Sequence, residues 1–123
     1  MSRKGLAIAF LRMAGSGDVR AAYDRFIAPE FIHHNLYFKG DRQSLMAAME
    51  EAARTSPNES IDVLQACEDG DTVMTHSKVV KAGPDGPTIT VVHIFRFEGD
   101  RVVELWDVGQ PVPPDCPNEH GAF

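Results

Sequence analysis

The sequence predicts an α+β fold in which about three N-terminal helices pack on one face of a curved antiparallel sheet. Three observations carry this. Apolar residues recur at helical spacing through the first 56 positions, the period switches to two after Pro57, and turn sequences then recur at DGD, GPDGP and EGDR. Helices first and strands later is the pattern of a layered α+β domain rather than of alternating βαβ units. At 123 residues the chain fits a single domain, 1–123, whose last stretch, 111–123, is a proline-rich tail.

Each element follows from its residues. Leu6, Phe10 and Met13 give the first helix one apolar side, and Gly15, Ser16 and Gly17 stop it before Asp18 caps the second. VRAAYDRFI carries Val19, Tyr23, Phe26 and Ile27 on one side until Pro29 ends the helix. FIHHN then reads as a short strand-like piece. Beyond Gly40, Asp41 is placed to cap a third helix, DRQSLMAAMEEAARTS, with Leu45, Ala48, Met49 and Ala52 as its buried stripe. SIDVLQACE, TVMTHSKVVK, TITVVHIFRF and VVELWDVGQ are four consecutive strands. PVPPDCPNEHGAF has too many prolines for a helix or central strand, so it is expected to run extended over the surface or over a neighbouring subunit.

Composition removes several function classes. A formal net charge of −6 and no Lys/Arg cluster leave nothing to neutralise phosphates, so nucleic acid and anionic membrane are not expected partners. No apolar run is long enough to span a bilayer, and the Arg-interrupted start MSRKGLAIAFLRMAG does not read as a secretory signal, so a cytoplasmic location is expected. Cys67 and Cys116 lie far apart without a CxxC spacing and are read as free thiols.

VVELWDVGQP, residues 102–111, is the informative strand. Alternation puts Val102, Glu104, Trp106 and Val108 on one face and Val103, Leu105, Asp107 and Gly109 on the other, so each apolar face carries one carboxylate. His34, His76, His93 and Asp107 are the polar residues expected to point inward, although an extended segment can turn in only one of the adjacent His33 and His34. Whether His93 meets Asp107 depends on the EGDR turn. A two-residue loop pairs Phe97 with Val102 and sets His93 opposite Trp106; a three-residue loop with a bulge pairs Glu98 with Val102 and sets His93 opposite Asp107. Counting leaves both registers open.

The HN pair at 34–35 before a glycine-containing loop, the GD turn leading to His76, and above all HIFRFEGDRVVELWDVGQPVP resemble the SnoaL-like polyketide cyclase family, within the nuclear transport factor two and ketosteroid isomerase superfamily. The resemblance runs from the first helix to the tail and is most specific in the last hairpin. It implies a cone-shaped sheet enclosing a deep apolar pocket, a homodimer through the sheet face, Asp107 as the acid/base in the pocket, and, through the HN pair, His34 as the inward histidine with His33 at the surface. Placing position 93 in the pocket as well favours the bulged register and leaves Glu104 on the outer face. The chain departs from the family in having His93 where Asp is common and Leu105 where His is common.

A carboxylate in an apolar pocket is a poorly solvated base suited to removing a proton α to a carbonyl, with His34 or His93 donating to the developing enolate. The expected function is therefore enolisation, aldol-type cyclisation or isomerisation of a small apolar carbonyl compound without a cofactor. His76 joins Asp107, His93 and His34 as a candidate catalytic group; Asn35, Phe95, Leu105 and Gln110 are candidate substrate contacts. A non-catalytic ligand-binding module is the main alternative. A His/Asp metal site is the weaker one, because no HxH or HxxxH spacing supports it and no metal is expected. Val92, Ile94, Glu104, Trp106 and Val108 form the apolar outer surface expected to make the dimer.

Overall fold

The computed structural model describes residues 1–123. Ser2 starts α1 (Arg3–Gly15) by accepting the Gly5 N–H on its hydroxyl at 3.0 Å, which satisfies one of the orphan donors of a helix start. Gly17, at φ 100°, lets the chain turn straight into α2 (Val19–Phe26). That helix stops at Phe26, three residues before Pro29, because Ile27 already takes extended geometry and begins β1 (Ile27–His33). Pro29 thus lies inside a strand. It is tolerated because β1 is an edge strand, where a missing N–H breaks no central ladder.

Asp41 occupies the N-cap of α3 (Arg42–Thr55) in extended geometry, yet its carboxylate makes no capping bond; the Ser44 hydroxyl instead donates to the Asp41 carbonyl at 3.2 Å. The remaining strands are β2 (Asn58–Asp69), β3 (Thr72–Lys81), β4 (Thr88–Glu98) and β5 (Arg101–Pro111). The sheet order is β1-β5-β4-β3-β2, with β1 parallel to β5 and every other pair antiparallel. The expected four-stranded antiparallel sheet is therefore a mixed one of five strands, extended by the segment between α2 and α3. The sheet is curved and unclosed, and the helices lie in its concave side.

Phe10 holds the two layers together. Its ring meets Tyr23, Phe26 and Phe95 edge-on at centroid distances of 5.7, 6.3 and 6.3 Å, so α1, α2 and β4 share one aromatic cluster. Full burial of each such ring is worth about 2–3 kcal/mol. Val73, Phe97, Val102 and Leu105 complete the sheet side of the same core.

The β4–β5 hairpin resolves the register question in an unanticipated way. Its loop is the two-residue Gly99–Asp100, with Gly99 at φ 60°, so Glu98 pairs with Arg101 and Phe97 with Val102. One step further the register shifts: Arg96 pairs with Glu104, and Val103 is the extra residue of a bulge. Val102 and Val103 are both buried, at 1% and 4% exposure, where strict alternation would expose one of them. After the bulge Phe95 faces Leu105 and His93 faces Asp107. The short loop and the bulge occur together, and the bulge decides which carboxylate faces inward.

The tail does not leave the molecule. Val112 continues the pairing by donating to the Thr88 carbonyl at 2.8 Å. Phe123 then returns over the outer sheet face, stacked on His76 at 5.8 Å with the Lys78 ammonium 5.4 Å from its ring centre.

Candidate active site

The site begins with the cross-strand pair His93 and Asp107 on the concave face. Adjacent partners on one face have Cβ atoms about 5 Å apart, so the two groups border the same space. Both line a cavity of about 230 Å³ whose other walls include Phe10, Phe38, Leu45, Met49 and Leu105. Ala48, Met49 and Ala52, expected as the packed stripe of α3, are in fact its cavity wall. A second space of about 230 Å³, walled by Ile61, Val79, Ile89 and Val91, meets the first at Leu11, Met49 and His93. His93 therefore stands at the junction of two apolar compartments.

The segment after β1 brings Asn35 onto Asp107. Its amide nitrogen donates to Asp107 Oδ2 at 3.0 Å, while its amide oxygen accepts the Tyr37 N–H at 3.1 Å. The backbone donor fixes which end of the amide faces the carboxylate, since only oxygen can accept from Tyr37. The Asn35 N–H in turn donates to His33 Nδ1 at 3.1 Å, so His33 carries its proton on Nε2, which points to the Ser44 hydroxyl at 3.5 Å. Asp107 is thus the end of a chain running from α3 through His33 and Asn35.

Electrostatics divides the labour. Burial pushes the His93 imidazole down to about 4, against a smaller opposing pull from Asp107, so the ring is neutral at pH 7. Its Nδ1 is closed off from solvent and has no partner, whereas the residue as a whole is only half-buried, which leaves the Nε2 edge as the one on the cavity. Neutral imidazole can donate one hydrogen bond without carrying a charge that would quench a neighbouring carboxylate. On its other side Asp107, with Asn35, borders an open groove of about 710 Å³ lined by His34, Leu36, Tyr37 and Trp106. A smaller cleft of about 180 Å³ lies between the ends of α1 and α3; its one ionisable group, Lys81, is engaged by the Asn58 side chain at 2.8 Å. It offers no acid/base pair.

Several expected site residues lie elsewhere. His34 is on the outer face, stacked on Trp106 at 4.8 Å and hydrogen-bonded to Glu104 at 2.7 Å; His33 is the inward histidine, 5% exposed. The reason is strand parity: β1 buries Phe31, so His33, two residues on, shares its face. His76 also points outward, because β3 buries Val73, Thr75 and Ser77; its Nε2 meets the Thr90 hydroxyl at 2.8 Å. Gln110 is exposed at the outer end of β5. Phe95 is fully buried beneath His93, at 5.8 Å, and belongs to the core rather than the cavity wall. Leu105 and Asn35 are at the cavity as expected. With two of the four candidate ligands on the other side of the sheet, no three His, Cys, Asp or Glu side chains cluster as a metal site.

Residues 7–105 match the model of the SnoaL-like domain family, a range that ends two residues before Asp107. Among solved structures, a provisionally assigned polyketide cyclase from Acidithiobacillus ferrooxidans is similar at 18% identity and TM-score 0.75, covering 89% of this chain and 92% of that one. An LEH-like epoxide hydrolase from M. tuberculosis is similar at 17% identity and TM-score 0.73, over 88% and 82% of the two chains. AclR, a provisionally assigned hydroxylase from Streptomyces galilaeus, gives 19% identity and TM-score 0.73 over 88% and 78%. At these identities the structures share the fold and carry nothing about chemistry. No curated protein matches the chain significantly. The family match spans most of the sequence and the fold agrees with it: the chain belongs to the SnoaL-like domain family.

Proposed function

We propose that the protein is an acid/base enzyme that enolises a small, largely apolar carbonyl compound. The observation that carries the reading is Asp107 held by the Asn35 amide at 3.0 Å, opposite a neutral His93, at the wall of an apolar cavity. The Asp107 carboxylate takes the α-proton; the C–H electrons move to the carbonyl, and the resulting enolate oxygen accepts a hydrogen bond from His93 Nε2–H. Returning the proton to a different carbon isomerises the substrate. Attack of the enolate carbon on a second carbonyl of the same molecule closes a ring, and the alkoxide formed at that carbonyl takes the proton back from Asp107. Both outcomes need one base and one donor, the roles this reading gives to Asp107 and His93.

The test is α-proton exchange. β-Tetralone, an apolar bicyclic ketone, is incubated in deuterated water with wild type and with Asp107→Asn. The variant keeps shape and hydrogen bonding but loses basicity, so exchange should fall roughly 10²- to 10⁴-fold while the melting temperature holds or rises. Equal exchange in the two proteins would remove Asp107 as the base and leave a ligand-binding role ahead.

A further inference from the structure

The inner face of β3 carries two hydroxyls where its neighbours Val73 and Val79 are apolar. Thr75 is 2% exposed and Ser77 is fully buried, and neither Oγ has a partner. Buried hydroxyls without partners are uncommon, so each calls for an explanation. Thr75 stands directly opposite His93 in the β3–β4 ladder, whereas Ser77 stands opposite Val91. On the other side of that first pair, His93 Nδ1 is also buried without a partner. Two complementary orphan atoms, a hydroxyl donor and a ring nitrogen, therefore sit on directly paired residues of one face. Cross-strand Cβ atoms are about 5 Å apart, within which rotation about the Thr75 χ1 sweeps its hydroxyl toward the ring.

We propose that Thr75 is a positioning residue: its hydroxyl donates to His93 Nδ1, which keeps the ring proton on Nε2 and so presents an N–H donor to the cavity. The second nitrogen of a histidine sets the state of the first. No other neighbour of the ring offers a donor to Nδ1. Phe95 stacks on the ring at 5.8 Å, Leu11 and Met49 are apolar, and Asp107, as an acceptor, would draw the proton to whichever nitrogen faces it. The role rests on the reading of His93 as the enolate donor, but the tautomer itself is measurable without any substrate.

Nitrogen-15 correlation spectra of the histidine rings at neutral pH report the tautomer. Wild type should show His93 as Nε2–H with Nδ1 as a hydrogen-bond acceptor. Thr75→Val removes the hydroxyl at nearly equal volume and should shift the ring toward a tautomer mixture. Thr75→Ser should restore it, and Ser77→Ala should leave it unchanged. Thr75→Ala gives the same readout should the valine variant fail to fold. β-Tetralone exchange should fall about tenfold or more in Thr75→Val, in turnover rather than in KM, and recover in Thr75→Ser. A wild-type His93 in the Nδ1–H form, or a spectrum that Thr75→Val leaves unmoved, overturns the proposal, as does an equal shift from Ser77→Ala. If the tautomer responds as expected while exchange is the same in wild type and Asp107→Asn, the positioning role stands and the enolisation reading falls.

Discussion

Replacing His93 with leucine should flatten the acid side of the stability curve. The ring titrates near 6.5 in an unfolded chain and near 4 in the fold, because burial disfavours the imidazolium. Between those values the unfolded chain binds a proton that the folded chain refuses, so stability rises with pH across the window. The penalty is fully present below pH 4 and absent above 6.5. About two and a half units at about 1.36 kcal/mol each gives roughly 3 kcal/mol in all, of which about 1 is felt at pH 5.5 and between about 2 and 3 at pH 4.5. The groups facing the ring explain the sign. Asp107 on β5 attracts the charged form, but Thr75 on β3 is neutral, Leu11, Met49 and Phe95 are apolar, and none is a second anion.

Urea denaturation of wild type and His93→Leu at about pH 7.5, 5.5 and 4.5 measures the effect directly. Taking the difference between the two proteins at each pH cancels the titration of every other group that does not contact His93. With a slope of about 1–3 kcal/mol/M, the wild-type midpoint should lose about 1–2 M more than the variant between the extremes. Parallel pH dependence in the two proteins would mean that His93 titrates normally.

Two further predictions rest on other contacts. Asn35→Asp puts a second carboxylate where the amide now donates to Asp107 at 3.0 Å; one of the pair then holds its proton more tightly than in the unfolded chain. That variant should lose about 1–3 kcal/mol relative to wild type at pH 7 and recover as the pH falls toward 5, readable as a shrinking gap in melting temperature; a gap independent of pH would refute it. The outer sheet face exposes Met74, Val92 and Val108 beside Trp106, and a patch of that kind favours self-association; light scattering at micromolar concentration should give about twice the 13.5 kDa chain mass, and a clean monomer would refute it.

The fold was legible because its signals are local. The helical spacing around Phe10, the period-two run after Pro57 and the glycine turns at Gly70 and Gly99 each act within a few residues, and the structure has helices and hairpins there. β1 was harder, since its partner lies some seventy residues away and its pairing is parallel; local pattern gives only FIHHN as extended. The site was legible in proportion to how well strand parity could be anchored. Phe31, two residues before His33, could have supplied the anchor for that face, and Val73 could have done so for His76. The resemblance of the HN pair points to His34 instead, and the parity of the strand rules otherwise. The bulge at Val103 leaves no mark in composition, because valine fits either face.

That bulge separates two carboxylates that the strand alone would treat alike. Glu104 ends up outside, where His34 at 2.7 Å and Arg96 at 2.9 Å both bond it; these partners, the His34 hydrogen bond first, hold its carboxyl below the ordinary range. A carboxylate with two cationic or protonatable neighbours is a poor proton acceptor, because accepting a proton forfeits both interactions. Asp107 ends up inside with one bond from a neutral amide and a neutral imidazole across the strand. It is anchored in direction but not neutralised, and its second oxygen has no protein donor. Had β5 run without the bulge, the pair would exchange faces: Glu104 would enter the cavity without Arg96 or His34, and Asp107 would lie among the outer cations. The extra residue at position 103 therefore selects which acid faces the cavity, and it selects the one that Asn35, fixed in turn by Tyr37 and His33, is built to hold.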